Sequence, residues 1–294
     1  MTIRARGSWE FIVPFRGRKV WGMVLVGYAI AVSTVLFQTI THNRILSPAI
    51  MGFDSLYQLV QTALIFALGG LAFATLDPQL RFGFNLLVMV VLSTLLFRWL
   101  FSGSSRSLHL LVLVGIVFGA LFRSLSGLMQ RLINPNDFAV LQDTGFAGFS
   151  GIEPDLLLAA TVLIVLVSLF LLPIFHRLDV LALGRETAIS LGVDHARTVW
   201  LLLAIIAVLV SVSTALVGPI LFFGLLVSNL AYILIPTYRH AYTLPAAALL
   251  AVIALVGGQT VLEHGLGFDT AISIIIEFAG GIVFLLFLLR GASR

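Results

Sequence analysis

The sequence predicts an all-α fold, a single polytopic bundle of membrane helices over residues 1–294. Composition is the first reason: 60% of the residues are hydrophobic and only 10% are charged, whereas a soluble domain carries roughly 25% charged residues. The second reason is a series of apolar runs, each close to the ~20 residues that cross a bilayer core. Little of the chain is left for a separate soluble domain.

Nine apolar runs predict transmembrane helices. They are residues 20–41, 56–75, 82–101, 108–130, 155–175, 198–217, 219–236, 243–263 and 271–289. Gly218-Pro219 divides what would otherwise be one long run, because this dipeptide favours a turn between two helices. The first run is too long for a signal-peptide core and lacks a clear cleavage site, so we interpret it as a retained helix.

Charge alternates between successive loops, which predicts an orientation because cytoplasmic loops retain Lys and Arg. One set of loops holds most of the arginines, and the opposite set holds most of the acids. The first set is Arg44, Arg106, Arg177, Arg185, Arg197 and Arg239, and the second is Asp77, Asp137, Asp143, Glu153, Asp155, Glu263 and Asp269. We therefore expect the loop at 176–197 and the C-terminus to be cytoplasmic. With nine crossings, the basic N-terminal stretch then falls outside.

Few residues within the spans could carry chemistry. Arg98 lies near a helix end, where its side chain can reach the interface and anchor the helix. Arg123 and Glu277 could either pair inside the bundle or line a transport pathway. The histidines lack the spacing of a metal site, and there is no cysteine, nucleophile motif or phosphate-binding motif. These patterns predict a protein that is not an enzyme, has no metal or cofactor of its own and does not bind nucleic acid.

One polar loop, residues 176–197, contains a segment that predicts a short amphipathic helix over residues 185–191. Gly184 and Gly192 bracket this helix. By itself the segment would suit either a partner-binding surface or a plain interfacial anchor.

Four segments, in this order, resemble the permease family of ABC importers for iron-siderophores, haem and cobalamin (FecCD-type, type II importers). They are the basic element Arg16-Gly-Arg18-Lys19, QTITHNRILSPAIMG at 38–52, GRETAISLGV at 184–193 and VGPILFFGLLVSN at 217–229. The resemblance runs from about residue 9 to the C-terminus. Each motif is modest, but the correct order of all four is specific.

The chain departs from the family pattern in three places. Asn43 is followed by Arg44 where the family has Pro, and Ser228-Asn229 stands where the family has Pro-His. The segment before the last helix, HGLGFDTAISIIIEFAGG, also differs. These forms resemble a sub-branch of siderophore permeases. The family has ten helices, and none of the nine predicted spans corresponds to its first.

The resemblance implies a permease subunit that moves an iron-siderophore across the inner (plasma) membrane. Its expected partners are a second permease subunit, two ATP-binding subunits that hold the ATP, a periplasmic or lipid-anchored substrate-binding protein, and membrane lipid. An ion- or proton-coupled secondary transporter is the alternative. Such carriers usually place several carboxylates within their spans, whereas Glu277 is nearly alone here.

The resemblance also implies roles for three groups of residues. Coupling to the ATPase is expected in the cytoplasmic segment 184–196 and just beyond it, at Arg185, Glu186, Ser190, Gly192, Asp194 and Arg197. Docking to acidic residues of the binding protein is expected at Arg16, Arg18 and Lys19, with an ordinary cytoplasmic basic N-terminus as the alternative. The positions at which the family narrows its cytoplasmic gate match Asn43, Ile45 and Pro48.

Overall fold

The structure is a computed structural model that describes residues 9–101, 108–149, 151–263 and 272–291. Every regular element within these ranges is a helix, as the sequence predicts. The helices are α1 (Trp9–Thr41), α2 (Phe53–Leu68), α3 (Gly70–Thr75), α4 (Pro78–Phe101), α5 (Leu108–Gln130), α6 (Pro135–Thr144), α7 (Pro154–Leu171), α8 (Phe175–Leu181), α9 (Arg185–Ser190), α10 (His195–Val217), α11 (Phe223–Leu234), α12 (His240–Val261) and α13 (Ile272–Gly291). Short 3-10 turns lie at Ala49–Met51 and Leu172–Ile174.

Each of the nine predicted spans falls on one or more of these helices. Within the described residues, six stretches are long and apolar enough to cross a membrane. They are Val13–Thr41, Pro78–Leu96, Leu113–Gln130, Pro154–Leu181, His195–Val217 and His240–Val261. Two of the remaining predicted spans correspond to the shorter apolar helices α2 and α11, and the third corresponds to α13, which is apolar over Ile274–Val283.

The lengths of α2 and α11 are limited by backbone geometry that hydropathy does not report. The predicted span 56–75 is divided at Gly69, whose φ of +82° ends α2 and starts α3. The turn predicted at Gly218-Pro219 is confirmed, but it extends as a non-helical segment to Phe222, which has a φ of +57°. As a result α11 has only 12 residues, or about 18 Å of rise against a core of about 30 Å.

Two helices, α1 and α10, form the centre of the bundle. Each is 72% buried over its most apolar window, whereas the other long helices are buried over 17% to 28% of theirs. Helix α1 packs against α12, α10, α11 and α7. The outward side chains of the peripheral helices are largely apolar, with Leu71, Phe170 and Ile253 among the most exposed, as expected of a surface that faces lipid.

Small residues allow the closest helix contacts. On α5, Gly115 and Gly119 lie against Met51 and Gly52, so that a Cβ added at Gly52 would be 2.8 Å from the Gly119 Cα. The four-residue spacing of Gly115 and Gly119 thus serves close packing, as small-residue spacing in membrane helices commonly does.

The bundle has two chemically different ends. Helices α1 and α12 are antiparallel, because Lys19 pairs with Glu263 at one end and Thr39 contacts His240 at the other. We call the first the acidic end; it gathers Asp77, Asp137, Asp143, Glu153, Asp155 and Glu263. We call the second the arginine-rich end; it gathers Arg44, Arg177, Arg185, Arg197 and Arg239.

Candidate functional site

The amphipathic segment predicted at 185–191 is the short helix α9, Arg185–Ser190, at the arginine-rich end. Its bracketing glycines, Gly184 and Gly192, have φ values of +104° and +82°, a left-handed region that glycine enters without steric penalty. The chain therefore leaves α8, makes one and a half turns and returns into α10. The Val193 amide donates to the Ala188 carbonyl at 3.0 Å and closes this excursion.

Helix α9 presents a mixed charged and apolar surface to the outside. Ala188 is the buried member of the helix, whereas all six residues predicted to couple to an ATPase are exposed: Arg185, Glu186, Ser190, Gly192, Asp194 and Arg197. Between them lie Leu183, Ile189 and Leu191, which are 61%, 53% and 60% exposed. Exposed apolar side chains rimmed by charges are typical of a surface that binds a protein or a membrane.

Two of these polar side chains also shape the segment itself. Asp194 caps α10, because its Oδ1 accepts the Arg197 amide at 3.1 Å, and the Ser190 hydroxyl donates to the Thr187 carbonyl at 2.8 Å. Arg185 and Glu186 carry exposed charge at the start of α9.

The predicted gate residues lie in the loop between α1 and α2, at the same end as α9. Asn43 Oδ1 accepts the Ile45 amide at 2.9 Å, while Ile45 itself is 46% exposed. Pro48 is buried and begins the 3-10 turn that leads into α2. His42, at the start of the loop, has a φ of +49°, and partial burial lowers the pKa of its imidazole below 6.5.

A polar latch fastens this loop to α11. Gln38 Nε2 donates to the Arg44 carbonyl at 2.8 Å and to Ser228 Oγ at 3.0 Å. Asn229 Nδ2 donates to the same carbonyl at 3.3 Å, and the Arg44 guanidinium lies 4.5 Å from the centroid of the Tyr232 ring. The two sequence departures, Arg44 and Ser228-Asn229, are thus neighbours in space, although 184 residues separate Arg44 from Ser228 in the sequence. Sequence reasoning noted both but had no signal that they meet.

A second polar link joins α8, α12 and α1 close to the latch. Asp179 Oδ1 accepts the His240 backbone amide at 2.8 Å and lies 2.6 Å from His240 Nδ1. His240 Nε2 lies 2.7 Å from Thr39 Oγ1. This chain of contacts connects the helix that precedes α9 with the helix that leads into the gate loop. Sequence reasoning missed it, because the three residues are scattered along the chain.

A polar cavity of about 330 Å³ lies farther from the arginine-rich end. Asp54 and Gln61 of α2, Gln142 of α6 and Glu277 of α13 contribute to its lining. A smaller space of about 30 Å³ on the other side of Asp54 touches Pro48. Asp54 therefore lies between the cavity and the gate segment, since it contributes to the lining of both spaces.

The intramembrane charges that the sequence singled out fall into different settings. Glu277 lines the cavity and accepts a hydrogen bond from the Leu221 amide. Arg123 donates to Ser55 Oγ at 2.8 Å, which fixes it to α2 beside Asp54. The side chain of Arg98 lies outside the described residues, as does the loop residue Arg106.

The basic residues at the start of α1 lie at the acidic end. Lys19 forms an ion pair with Glu263, whose Oε1 also accepts Gln259 Nε2 at 2.6 Å. Arg18 Nε donates to the Pro14 carbonyl at 3.4 Å on an exposed part of the helix, and Arg16 is half-buried. Lys19 therefore ties α1 to α12, while Arg18 stands nearer the surface.

Comparison with known proteins identifies the family to which this helix bundle belongs. The model of the FecCD transport family matches residues 3–290. The chain belongs to the FecCD transport family. Two relatives in this family are the petrobactin import system permease proteins YclO of Bacillus subtilis and FatC of Bacillus anthracis. YclO is 48% identical over 97% of this chain and 90% of its own length, and FatC is 35% identical over 91% and 76%.

A solved structure supports the fold. A metal-chelate type ABC transporter in an inward-facing conformation superposes with a TM-score of 0.84 at 24% identity, over 97% of this chain and 92% of the other. As a FecCD member the chain is a polytopic transport permease of ABC importers and not an enzyme.

Proposed function

We propose that this chain is the permease subunit of an ABC importer that carries a ferric siderophore along a central path between two permease subunits, with the gate loop at the cytoplasmic end of that path. The observation that carries the proposal is the exposed helix α9, which lies at the same end of the bundle as the latched gate loop. A partner that pushes on α9 can therefore act on the gate over a short distance. The names of the petrobactin permease relatives support the substrate class.

The proposed orientation places the arginine-rich end in the cytoplasm of a cell with this protein in its inner, or plasma, membrane. Positive charge is retained on the cytoplasmic side of membrane proteins, and this end carries Arg44, Arg177, Arg185, Arg197 and Arg239. The C-terminus then lies in the cytoplasm. Two ATP-binding subunits would sit against α9 in the two permease subunits of a dimer, and the ATP would be theirs.

The acidic end is then the outer face, on which we propose that the substrate-binding protein docks. Arg16 and Arg18 offer positive charge there, and Lys19 adds to the local field although Glu263 offsets much of its charge. Complementary charges of this kind raise the rate of encounter and fix the docking register more than they add affinity.

The test of the coupling surface is Glu186→Lys in the full importer. We expect ATP-dependent uptake of the ferric chelate to fall to background while the permease stays in the membrane, because the exchange reverses the charge at the start of α9. Co-purification of the ATPase should fall in parallel. Glu10→Lys makes the same charge change on an exposed residue of α1 at the acidic end and should leave both readouts intact. Normal uptake by Glu186→Lys would refute the coupling role.

A further inference from the structure

The polar cavity holds buried acceptors that nothing in the described protein satisfies. Asp54 is 7% exposed and its Oδ2 has no hydrogen-bond partner; Gln61 is 2% exposed and its Oε1 has none. Both line the cavity. A buried polar atom without a hydrogen-bond partner destabilises the protein, so two residues that carry such atoms beside a cavity suit a ligand that supplies donors.

The charge of the cavity points to a cationic donor. Asp54 and Glu277 both line it and lie close enough for their charges to interact. Among its described lining residues there is no Lys, Arg or His. Two ionised carboxylates near each other repel, and either a bound proton or a bound cation relieves the repulsion.

One feature beside each carboxylate offsets part of the cost of burying its charge. Asp54 lies in the first turn of α2, where the helix dipole stabilises negative charge. Glu277 accepts a hydrogen bond from the Leu221 amide in the non-helical segment 218–222. A backbone donor at a carboxylate stabilises the ionised group.

We propose that this cavity is a binding site for an organic ammonium group, held by Asp54 and Glu277 and oriented by the Gln61 carbonyl. An ammonium group combines positive charge with N–H donors. It therefore matches both the negative charge of the cavity and the acceptors that have no hydrogen-bond partner. The cavity, about 330 Å³ in volume, has room for such a group together with part of the molecule that carries it. The site adjoins the gate segment through Asp54.

This inference rests on the proposed function for its biological meaning, because an ammonium site above the gate would select cargo by its amines. Its direct test does not depend on that function. Putrescine binding to the purified full-length chain in detergent is measured by titration calorimetry, without ATP, ATPase or binding protein. We expect saturable binding of putrescine, and none of butanediol, which has the same length without charge.

Isosteric variants locate the site. Asp54→Asn and Glu277→Gln should each weaken putrescine binding by at least about tenfold, equivalent to ~1.4 kcal/mol, with unchanged elution of the chain on gel filtration. Gln61→Met, which removes the acceptor alone, should weaken it less. Asp155→Asn removes an exposed carboxylate outside the cavity and should bind as the parent does. Absence of binding, or equal binding by Asp54→Asn, Glu277→Gln and the parent chain, would overturn the site.

Uptake measurements distinguish whether the ammonium group belongs to the transported chelate or to a free amine. If it belongs to the cargo, acetylating the amines of an amine-bearing ferric chelate should reduce its uptake by the importer. In the Asp54→Asn variant, the same acetylation should not change the uptake of the chelate. If acetylation has no effect although putrescine binds, the site takes a free amine. Failure of Glu186→Lys to impair uptake would count against the coupling proposal alone, whereas failure of putrescine to bind would count against this site alone.

Discussion

Gly52 lies where α5 approaches the start of α2 most closely. Its φ is +99°, and a Cβ there would lie 2.8 Å from the Gly119 Cα. Gly52→Ala should therefore destabilise the protein by at least ~1–2 kcal/mol, the usual cost of a left-handed L-residue, before the clash with the α5 backbone is counted. The measurement is the apparent melting temperature of the full-length chain in detergent.

The matched control for Gly52 is Gly127 on α5, which has open space around its Cα. Gly127→Ala should leave the melting temperature unchanged or raise it slightly, because glycine within a helix costs about 0.5–1 kcal/mol relative to alanine. Equal melting temperatures for the two variants would show that the contact between α2 and α5 does not need glycine.

The basic residues at the start of α1 also show a limit of prediction from the sequence. The basic group at the start of α1 was predicted as one docking surface, but the structure divides it, because Lys19 pairs with Glu263 across 244 positions of sequence. No periodicity in the sequence reports such a pairing. The docking role of Arg16, Arg18 and Lys19 stays a prediction.

Among the elements, the gate loop is attached to α11 in part through a side chain of α1, Gln38. Gln38 bonds both the Arg44 carbonyl and Ser228, so Gln38→Met, which keeps the length but removes the donor, should loosen the loop. The chain has no cysteine, and thiol labelling of Ile45→Cys can report this directly. We expect labelling to be several-fold faster when Gln38→Met is added.

Gln79→Met is the control for this experiment, because Gln79 is an exposed glutamine at the acidic end. It should leave the labelling rate of Ile45→Cys unchanged. A rate that does not respond to Gln38→Met would mean that Asn229 and the stacking of Arg44 on Tyr232 hold the loop by themselves.

The polar link that joins α8, α12 and α1 can be tested for a role in transmitting movement. Asp179→Asn keeps the size of the side chain but removes the charge that faces His240. If this link transmits movement of α9 to the gate, ATP hydrolysis by the full importer should continue while chelate uptake per ATP falls several-fold. Asp155→Asn, an acid at the opposite end, should keep the parent ratio. An unchanged ratio in Asp179→Asn would make the link purely structural.

The positions of the helices were predictable from the sequence wherever an apolar run determines them. Each of the nine apolar runs falls on one or more helices, and α9 falls where the amphipathic pattern and its flanking glycines place it. The break at Gly69 and the non-helical segment up to Phe222 were not predicted, because both depend on φ values that apolar composition leaves open. The latch and the cavity were out of reach for a different reason: each is assembled from helices far apart in the sequence.

For the whole molecule, the separation of charge between the two ends is the property that connects fold and function. Most acids of the loops gather at one end, which also holds Arg16, Arg18 and Lys19, and most arginines of the loops gather at the other. The polar cavity, the gate loop and α9 follow one another toward the arginine-rich end. This order matches an importer in which cargo enters at the acidic end and the driving subunits act at the other.

The orientation can be tested with two single cysteines in this cysteine-free chain. Ser190→Cys marks exposed α9 at the arginine-rich end, and Thr75→Cys marks an exposed position at the acidic end. With a membrane-impermeant thiol reagent on intact cells or spheroplasts, Thr75→Cys should label at once, and Ser190→Cys should label only after lysis. The expectation follows from the retention of arginine on the cytoplasmic side. The reverse pattern would place α9 outside, where no ATPase could reach it, and would refute the coupling surface and the direction of transport together.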